Sequence, residues 1–480
     1  MEGIVNENVR SNTEGSAVDC SDLFLVVGEA AMPVIELAIE EGPNRHGTLL
    51  VTTLAEEQIR DYILFEGSGN VTLIFNRNGT ANALFQGILT NLETVAEGNT
   101  HYIRLQVRTS SYQMDIGRLN LSFQDLHMTS HELIRTLLSF FPDSQANIAI
   151  PEQAVGHILV QYQETVWEFL KRFLSEYGTC VYVDSTQGRI CLQIGLPETV
   201  LKTDWDHLPY VARRDTAPQS FEGMLMGQLF YEVSAYELLP LGAQIRFHGR
   251  DLYIGSVYRS LEGGLLVSRY QLYFKEGLQI RRYFNPYLGG VSINGSVTAI
   301  SRNKVQVRME TDALRKCQKQ YLFPFSTVAA SSDGSGWYCM PREGDMVRIF
   351  FPVSDEREGY AISNVMGQSA PDPSSPMGNP DLKDITTPDG KTVQFIENGI
   401  QLSVGSGKGA IVLTNDGNAR IVSEENIEIS AAEKVLFHAG EAGELVMAAG
   451  NKVQFTSDAG AGISVTKNEI RMEASIIINN

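Results

Sequence analysis

Cysteine is scarce in these 480 residues: Cys20, Cys180, Cys191, Cys317 and Cys339 are all there is. None stands in C-x-x-C spacing, which zinc ribbons and thioredoxin-type redox sites require. The odd count implies reduced, buried thiols rather than a disulfide framework. Basic charge is also short, with 38 Lys and Arg against 57 Asp and Glu and a formal net charge of −19. Nucleic-acid binding needs clustered cations to neutralise phosphates, so it is not expected as the main activity. Long apolar runs are missing; no stretch approaches the roughly 18 residues that suggest a bilayer span. The opening "MEGIVNENVRSNTEG" has no basic segment followed by an apolar one, so synthesis in a cytoplasm without signal-peptide export is expected.

What is present is β-rich sequence in several blocks, too much for one ordinary core. "LFLVVG", "HGTLLVTTL", "GNVTLIFN", "ANALFQGILTNLETV" and "HYIRLQVRTS" are β-branched runs broken by Gly, Asn and Glu, the pattern of a barrel or sandwich. The period changes between about 128 and 175, where "TSHELIRTLLSFF" and "TVWEFLKRFLSEYG" read as helices. Val166, Phe169, Leu170, Phe173 and Leu174 share one face of the second helix, and Gly178 is placed to end it. "TCVYVD" and "GRICLQIG" form an expected hairpin flanked by Cys180 and Cys191. Strand pattern resumes over 205–284 and again over 285–365, and a Pro- and Ser-rich linker follows.

Beyond the linker, about eleven short bursts follow at strand spacing, including "TVQF", "IQLSV", "AIVLT", "IEIS", "VLFH", "LVM" and "IIIN". Strands this short cannot hide an apolar face alone, so neighbours must stack. A single-chain β-helix and three chains wound together satisfy the pattern equally well.

Candidate chemistry gives way to structural readings. "HMTSHELIR" lacks the H-E-x-x-H of a zinc protease, because Arg135 takes the fifth position. Thr129 and Glu132 instead suit a capping box, leaving His127 outside the helix. "GSGKGA" resembles a phosphate loop, but Leu402 and Gly409 occupy positions that a Walker motif reserves for Gly and Ser/Thr; a β-turn is expected. Glu164 and Glu168 are read as a solvated face or an inter-subunit salt bridge beside Lys171 and Arg172, not as a hydrolase pair. No G-x-S-x-G or Cys/His arrangement stands out.

Two stretches carry a family resemblance. In "VQYQETVWEFLKRFLSEYGTCVYVD" (160–184), Gln161, Tyr162, Glu164, Trp167, Phe169, Arg172, Leu174 and Gly178 resemble the signature helix of the VgrG-type spike and phage tail-hub family. In "GSVTAISRNKVQVRM" and "WYCMPREGDMVRIFFPVSDEREGYAISNV", Trp337, Pro341, Gly344, Asp345, Val347, Gly359 and Asn364 resemble its OB-fold, including a Trp-containing strand. The resemblance implies a mainly β chain with a small α/β part. Its parts would be an N-terminal arm (1–20), a tail-hub-like domain (21–284), an OB-fold (285–366), a Pro-rich linker (367–388) and a β-helical shaft (389–480). The hub would hold two β-barrels with an α/β insertion around 125–200.

The resemblance also chooses the trimer, with an intertwined shaft on the order of 50 Å long at ~4.8 Å per layer. It implies a non-enzymatic spike of a contractile injection machine, with no cofactor, that caps a hexameric inner tube and punctures a target envelope. Baseplate proteins, effectors and a PAAR-type tip protein are the implied partners, the tip meeting Ile476, Ile477 and Ile478 at the shaft end. In those three residues strand alternation would put Ile476 and Ile478 on one face and Ile477 on the other. The chain would join the injection particle and leave with it. The rival reading is a trimeric receptor-binding fibre or adhesin on the same ladder.

Overall fold

The computed structural model describes residues 17–478 except 55, 66–68, 78, 99, 215–228, 313–320, 330, 332–335, 364–380 and 388. Most of the expected arm and linker, together with Cys317 and Asn364, therefore lies outside the described residues. The chain divides into two units, Met1–Val365 and Met366–Asn480.

In the first unit, β1 (Leu23–Val27), β2 (Ala30–Glu41), β3 (Thr48–Leu54), β4 (Asn70–Arg77), β5 (Thr80–Glu97) and β6 (Thr100–Arg108) build a barrel. Their order is β1-β4-β5-β6-β3-β2, and β1 pairs β2 to close it. Alternation drives this: Leu23, Leu25 and Val27 point inward with no exposed surface, as do Leu49, Leu73, Ile103 and Val107 to within about 1%. A helix that strand patterning hid, α1 (Glu57–Phe65), packs Ile59, Tyr62 and Ile63 against this core.

An α/β insert follows. It holds β7 (Arg118–Phe123), α2 (Ser130–Leu138), β8 (Gln145–Ile148), β9 (Leu159–Thr165), α3 (Val166–Ser175), β10 (Val181–Val183) and β11 (Cys191–Ile194). Both helices open with a capping box, Thr129 with Glu132 and Thr165 with Glu168. The hairpin forms as expected, with Val181 opposite Ile194 and Val183 opposite Leu192. That register sets Cys180 and Cys191 at opposite ends of the hairpin, and both are free thiols.

The large sheet then continues through β12 (Val200–Leu201), β13 (Tyr210–Arg214), β14 (Leu229–Ala235), β15 (Gln244–Phe247), β16 (Arg250–Glu262) and β17 (Leu265–Tyr273). The two expected barrels are present, the first closed and the second a half-barrel. Its strand β16 pairs directly with β2, so the sheet runs on as β2-β16-β17-β14-β13, and among the described residues no strand returns to close it.

Five further strands, β18 (Val291–Ser301), β19 (Lys304–Met309), β20 (Leu322–Pro324), β21 (Met346–Phe351) and β22 (Tyr360–Ser363), order as β20-β19-β18-β21-β22. A bridge between Phe325 and Ala361 brings the ends together, giving the five-stranded OB arrangement.

The second unit has two antiparallel meanders: β23 (Lys383–Thr386), β24 (Thr392–Ile396), β25 (Gly399–Val404), β26 (Gly409–Thr414) and β27 (Ala419–Ser423), then β28 (Lys452–Thr456), β29 (Gly462–Thr466) and β30 (Ile470–Glu473). β23 is a correction, since it falls within the segment read as linker. "GSGKGA" is the turn between β25 and β26. The bursts "IEIS", "VLFH" and "LVM", and Ile476, Ile477 and Ile478 of "IIIN", are not strands in the single chain. A burst of that kind becomes a strand only when a neighbour supplies the other half of its hydrogen bonds.

Candidate functional site

The signature residues converge where α3 meets the five-stranded barrel. The start of β9 serves two cores at once: Leu159 packs with α3, while Ile158, just before the strand, and Val160 pack with Leu288, Val305, Val307 and Ile349. A buried ion cluster stands at this seam. Arg172 donates from Nε and Nη2 to the two carboxylate oxygens of Glu164, at 2.8 Å each. Its Nη1 donates to Glu356 Oε1 at 2.6 Å, and Nη2 also reaches the Val160 carbonyl at 2.9 Å. All three side chains are almost fully buried.

This corrects the reading of Glu164 and Arg172 as part of a solvated face. Glu164 belongs to β9, not to α3, and the helix turns Arg172 inward onto it; Lys171 is buried too. Burial raises the Glu164 pKa, an effect that Arg172 opposes without cancelling. Burial also works to lower the Arg172 pKa, but Glu356 and Glu164 outweigh it and hold the guanidinium firmly charged. Glu168 is spent on the helix cap, where its carboxylate accepts from the Thr165 N–H at 2.9 Å.

The other signature residues make packing and backbone contacts. Gln161 is buried and donates to the Glu164 carbonyl at 2.9 Å, while its Oε1 finds no partner among the described residues. The Tyr162 carbonyl accepts from Asn285 Nδ2 at 2.8 Å. Trp167 lies against His46 with ring centroids 4.3 Å apart, and Phe169 stacks on Phe123 at 5.7 Å. Leu174 has no exposed surface. Gly178 adopts φ +64°, the left-handed conformation that lets the chain leave the helix, and its carbonyl accepts from the Ile280 N–H.

The second motif is a turn that leads into β21 and bonds to β18. Gly344 has φ +90°, its N–H donates to the Val297 carbonyl at 2.8 Å, and the Val297 N–H returns a bond to Asp345 at 2.9 Å. The Asp345 carboxylate accepts from the Arg342 N–H at 2.7 Å, Pro341 leads in, and Val347 enters the core. A Cβ on Gly359 would meet the Phe351 ring at 2.7 Å. Trp337 departs from expectation: it lies outside any strand and is 47% exposed. Ile476, Ile477 and Ile478 are exposed by 75%, 56% and 78%, beyond the last strand, so strand alternation does not describe them within one chain.

Sequence reasoning missed several residues that lock the first unit. Glu356 sits in the polar turn "SDEREG", which reads as surface. Asn44 exchanges two bonds with the Val181 backbone, at 2.8 and 3.0 Å, joining the first barrel to the insert. His46 is half-buried at the same joint; its Nδ1 contacts Ser111 Oγ at 2.8 Å, and its Nε2 lies 3.5 Å from Asp115 without hydrogen-bond geometry. Burial lowers its pKa despite that carboxylate. Arg259 and Glu41 form a buried pair between barrel and half-barrel.

Comparison with known proteins agrees with this architecture. A family model of the phage tail baseplate hub matches residues 68–221. No curated relative matches by sequence. Among solved structures, the E. coli c3393 protein, described as a component of the type VI secretion system, is 14% identical with a TM-score of 0.52. That match covers 70% of this chain and 98% of the other. The lidded Francisella PdpA–VgrG complex is 8% identical with a TM-score of 0.55, covering 84% and 80%. Its half-lidded form gives 8%, 0.53, 84% and 88%.

Proposed function

We propose that this chain, which has the fold of the VgrG-type spike and phage tail-hub family, is the non-enzymatic homotrimeric hub and spike of a contractile injection machine. It would cap the hexameric inner tube, seat among baseplate proteins and puncture a target envelope when the sheath contracts. The observation that carries this reading is a one-sided apolar face in the second unit. Register sets Phe395 opposite Ile400, Ile400 opposite Leu413, Leu402 opposite Ile411 and Ile411 opposite Ile421. Cross-strand partners share a face, so these six side chains form one surface, and each is at least 37% exposed. β28, β29 and β30 repeat the design with Phe455, Ile463 and Met472.

A monomer leaves these aliphatics in water, where burying each would contribute roughly 1.5–3 kcal/mol. Copies of the same chain would cover one another's faces and also offer hydrogen-bond partners to "IEIS", "VLFH" and "LVM". The exposed Ile476, Ile477 and Ile478 would then meet a PAAR-type tip protein. Rigidity would come from the dry interior and the shared backbone bonds, so the shaft could transmit force without chemistry.

Light scattering of the purified full-length chain tests the assembly, with a mass three times 53.0 kDa expected. A stable 53.0 kDa species would overturn the trimer. Negative-stain imaging of particles carrying the chain tests the placement, which should be at the tube end.

A further inference from the structure

The insert presents an open sheet edge that the injection role does not use. Strand β8 pairs on one side only, in parallel with β11. The N–H groups of Gln145 and Ala149 donate to the Ile190 and Ile194 carbonyls, each at 2.8 Å. Backbone direction alternates along a strand, so the N–H and C=O of Ala146 and Ile148 point away from β11. Among the described residues no strand pairs with that edge.

The edge does not face open water alone. Ala146 and Ile148 form one wall of a groove of about 560 Å³, and α2 forms the other with Arg135 and Leu138. Phe141 adds to its apolar lining, and Asp143 lines it too. Arg135 is exposed and has no ion pair among the described residues. A strand edge beside a helix, with an apolar floor and one free cation, has the chemistry of strand addition. The open amides supply affinity to any extended backbone, and the flanking side chains choose among sequences.

The geometry points to a docking groove for an extended peptide segment of another protein, bound by strand addition along Ala146–Ile148. The segment places an apolar side chain against Leu138, Phe141 and Ile148, and a carboxylate against Arg135. Asp143 disfavours a second acidic residue beside it. A neutral or basic segment would leave Arg135 unpaired, so an acidic one is preferred.

The test is a displayed library of short random peptides panned against the full-length protein, with enriched peptides measured by fluorescence anisotropy. Enriched peptides should carry one acidic residue among alternating apolar positions. Ala146→Pro deletes an outward N–H and spares the bonds to β11, as edge strands tolerate. It should weaken binding at least ~10-fold, a loss of ~1.4 kcal/mol, with the melting temperature unchanged. N-methylating alternate amides of the peptide should do the same, and Arg135→Glu should shift the preference toward basic peptides. The proposal is overturned if no peptide enriches, or if binding survives both Ala146→Pro and N-methylation. It is equally overturned if Ala146→Pro abolishes self-association instead, because the occupant would then be a second copy of this chain.

Discussion

Arg172 of α3 and Glu356 of the five-stranded barrel meet at 2.6 Å in a site from which water is almost wholly removed, while Glu164 holds the rest of the guanidinium. One cation thus faces two carboxylates across the seam between insert and barrel. Removing the cation alone strands two buried acids, whereas removing all three leaves a neutral interior. Arg172→Met should cost about 3–5 kcal/mol, and Glu164→Gln, Arg172→Met and Glu356→Gln together should cost clearly less than the single change. Urea unfolding of the full-length protein, followed by intrinsic fluorescence, measures both. Equal losses would show that the cluster does not act as a unit.

Phe169 tests the neighbouring core. It has no exposed surface and stacks on Phe123 of β7 at an interplanar angle of 11°. Phe169→Ala should cost roughly 3–5 kcal/mol through the cavity it leaves. Phe140, 46% exposed, is the control, and its truncation should stay within about 0.5 kcal/mol.

These two cases mark how far sequence reached. Helical period places Phe169 correctly, because an apolar face needs only spacing to be recognised. The same spacing gave Arg172 a polar face, since pattern assigns charge to solvent unless a partner is known. Here the partners were Glu164, outside the helix, and Glu356, distant in sequence. The helix α1 was hidden for a related reason: "EEQIRDYILF" is too short to outweigh the strands on both sides. Barrel closure and half-barrel opening depend on which strand β16 pairs with, and local pattern contains no such information. Gly344 and Asp345 were legible as part of the family motif, but the bonds that tie their turn to Val297 of β18 span distant sequence and were not.

Two histidines should give opposite pH signatures. A hydrogen bond donated by His157 Nε2 to the Glu176 carboxylate raises the His157 pKa, with burial working against it. The folded state therefore holds that proton more tightly, and its contribution is complete below the unfolded value of about 6.5 and fades as pH rises through the folded one. Burial lowers the His46 pKa, so the folded state resists protonation and loses stability as pH falls below about 6.5. NMR titration of labelled imidazoles should find His157 above that value and His46 below it. His157→Gln should remove the decline in stability on the alkaline side, read from urea midpoints at stepped pH. A reversed order of titration would mean that the burial of His46, or the contact of His157 with Glu176, is misread.

The second unit gives a test in which the two faces of one sheet control for each other. Leu402 and Ile411 face each other on the apolar side, while Gln401 lies opposite Val412 and Val412 opposite Arg420 on the other. If copies associate through the first face, Leu402→Asp with Ile411→Asp places carboxylates into a contact that excludes water. Burying an unpaired charge there is costly enough to dissociate the assembly. Gln401→Asp with Arg420→Glu adds a comparable negative charge to the opposite face and should leave the native mass unchanged. The hub cores contain none of these residues, so circular dichroism should report a folded first unit in both variants. Light scattering then decides between the faces. Loss of any self-association in both variants would point to overall charge repulsion in a chain already at −19, and loss in neither would mean that the apolar face is not where copies meet.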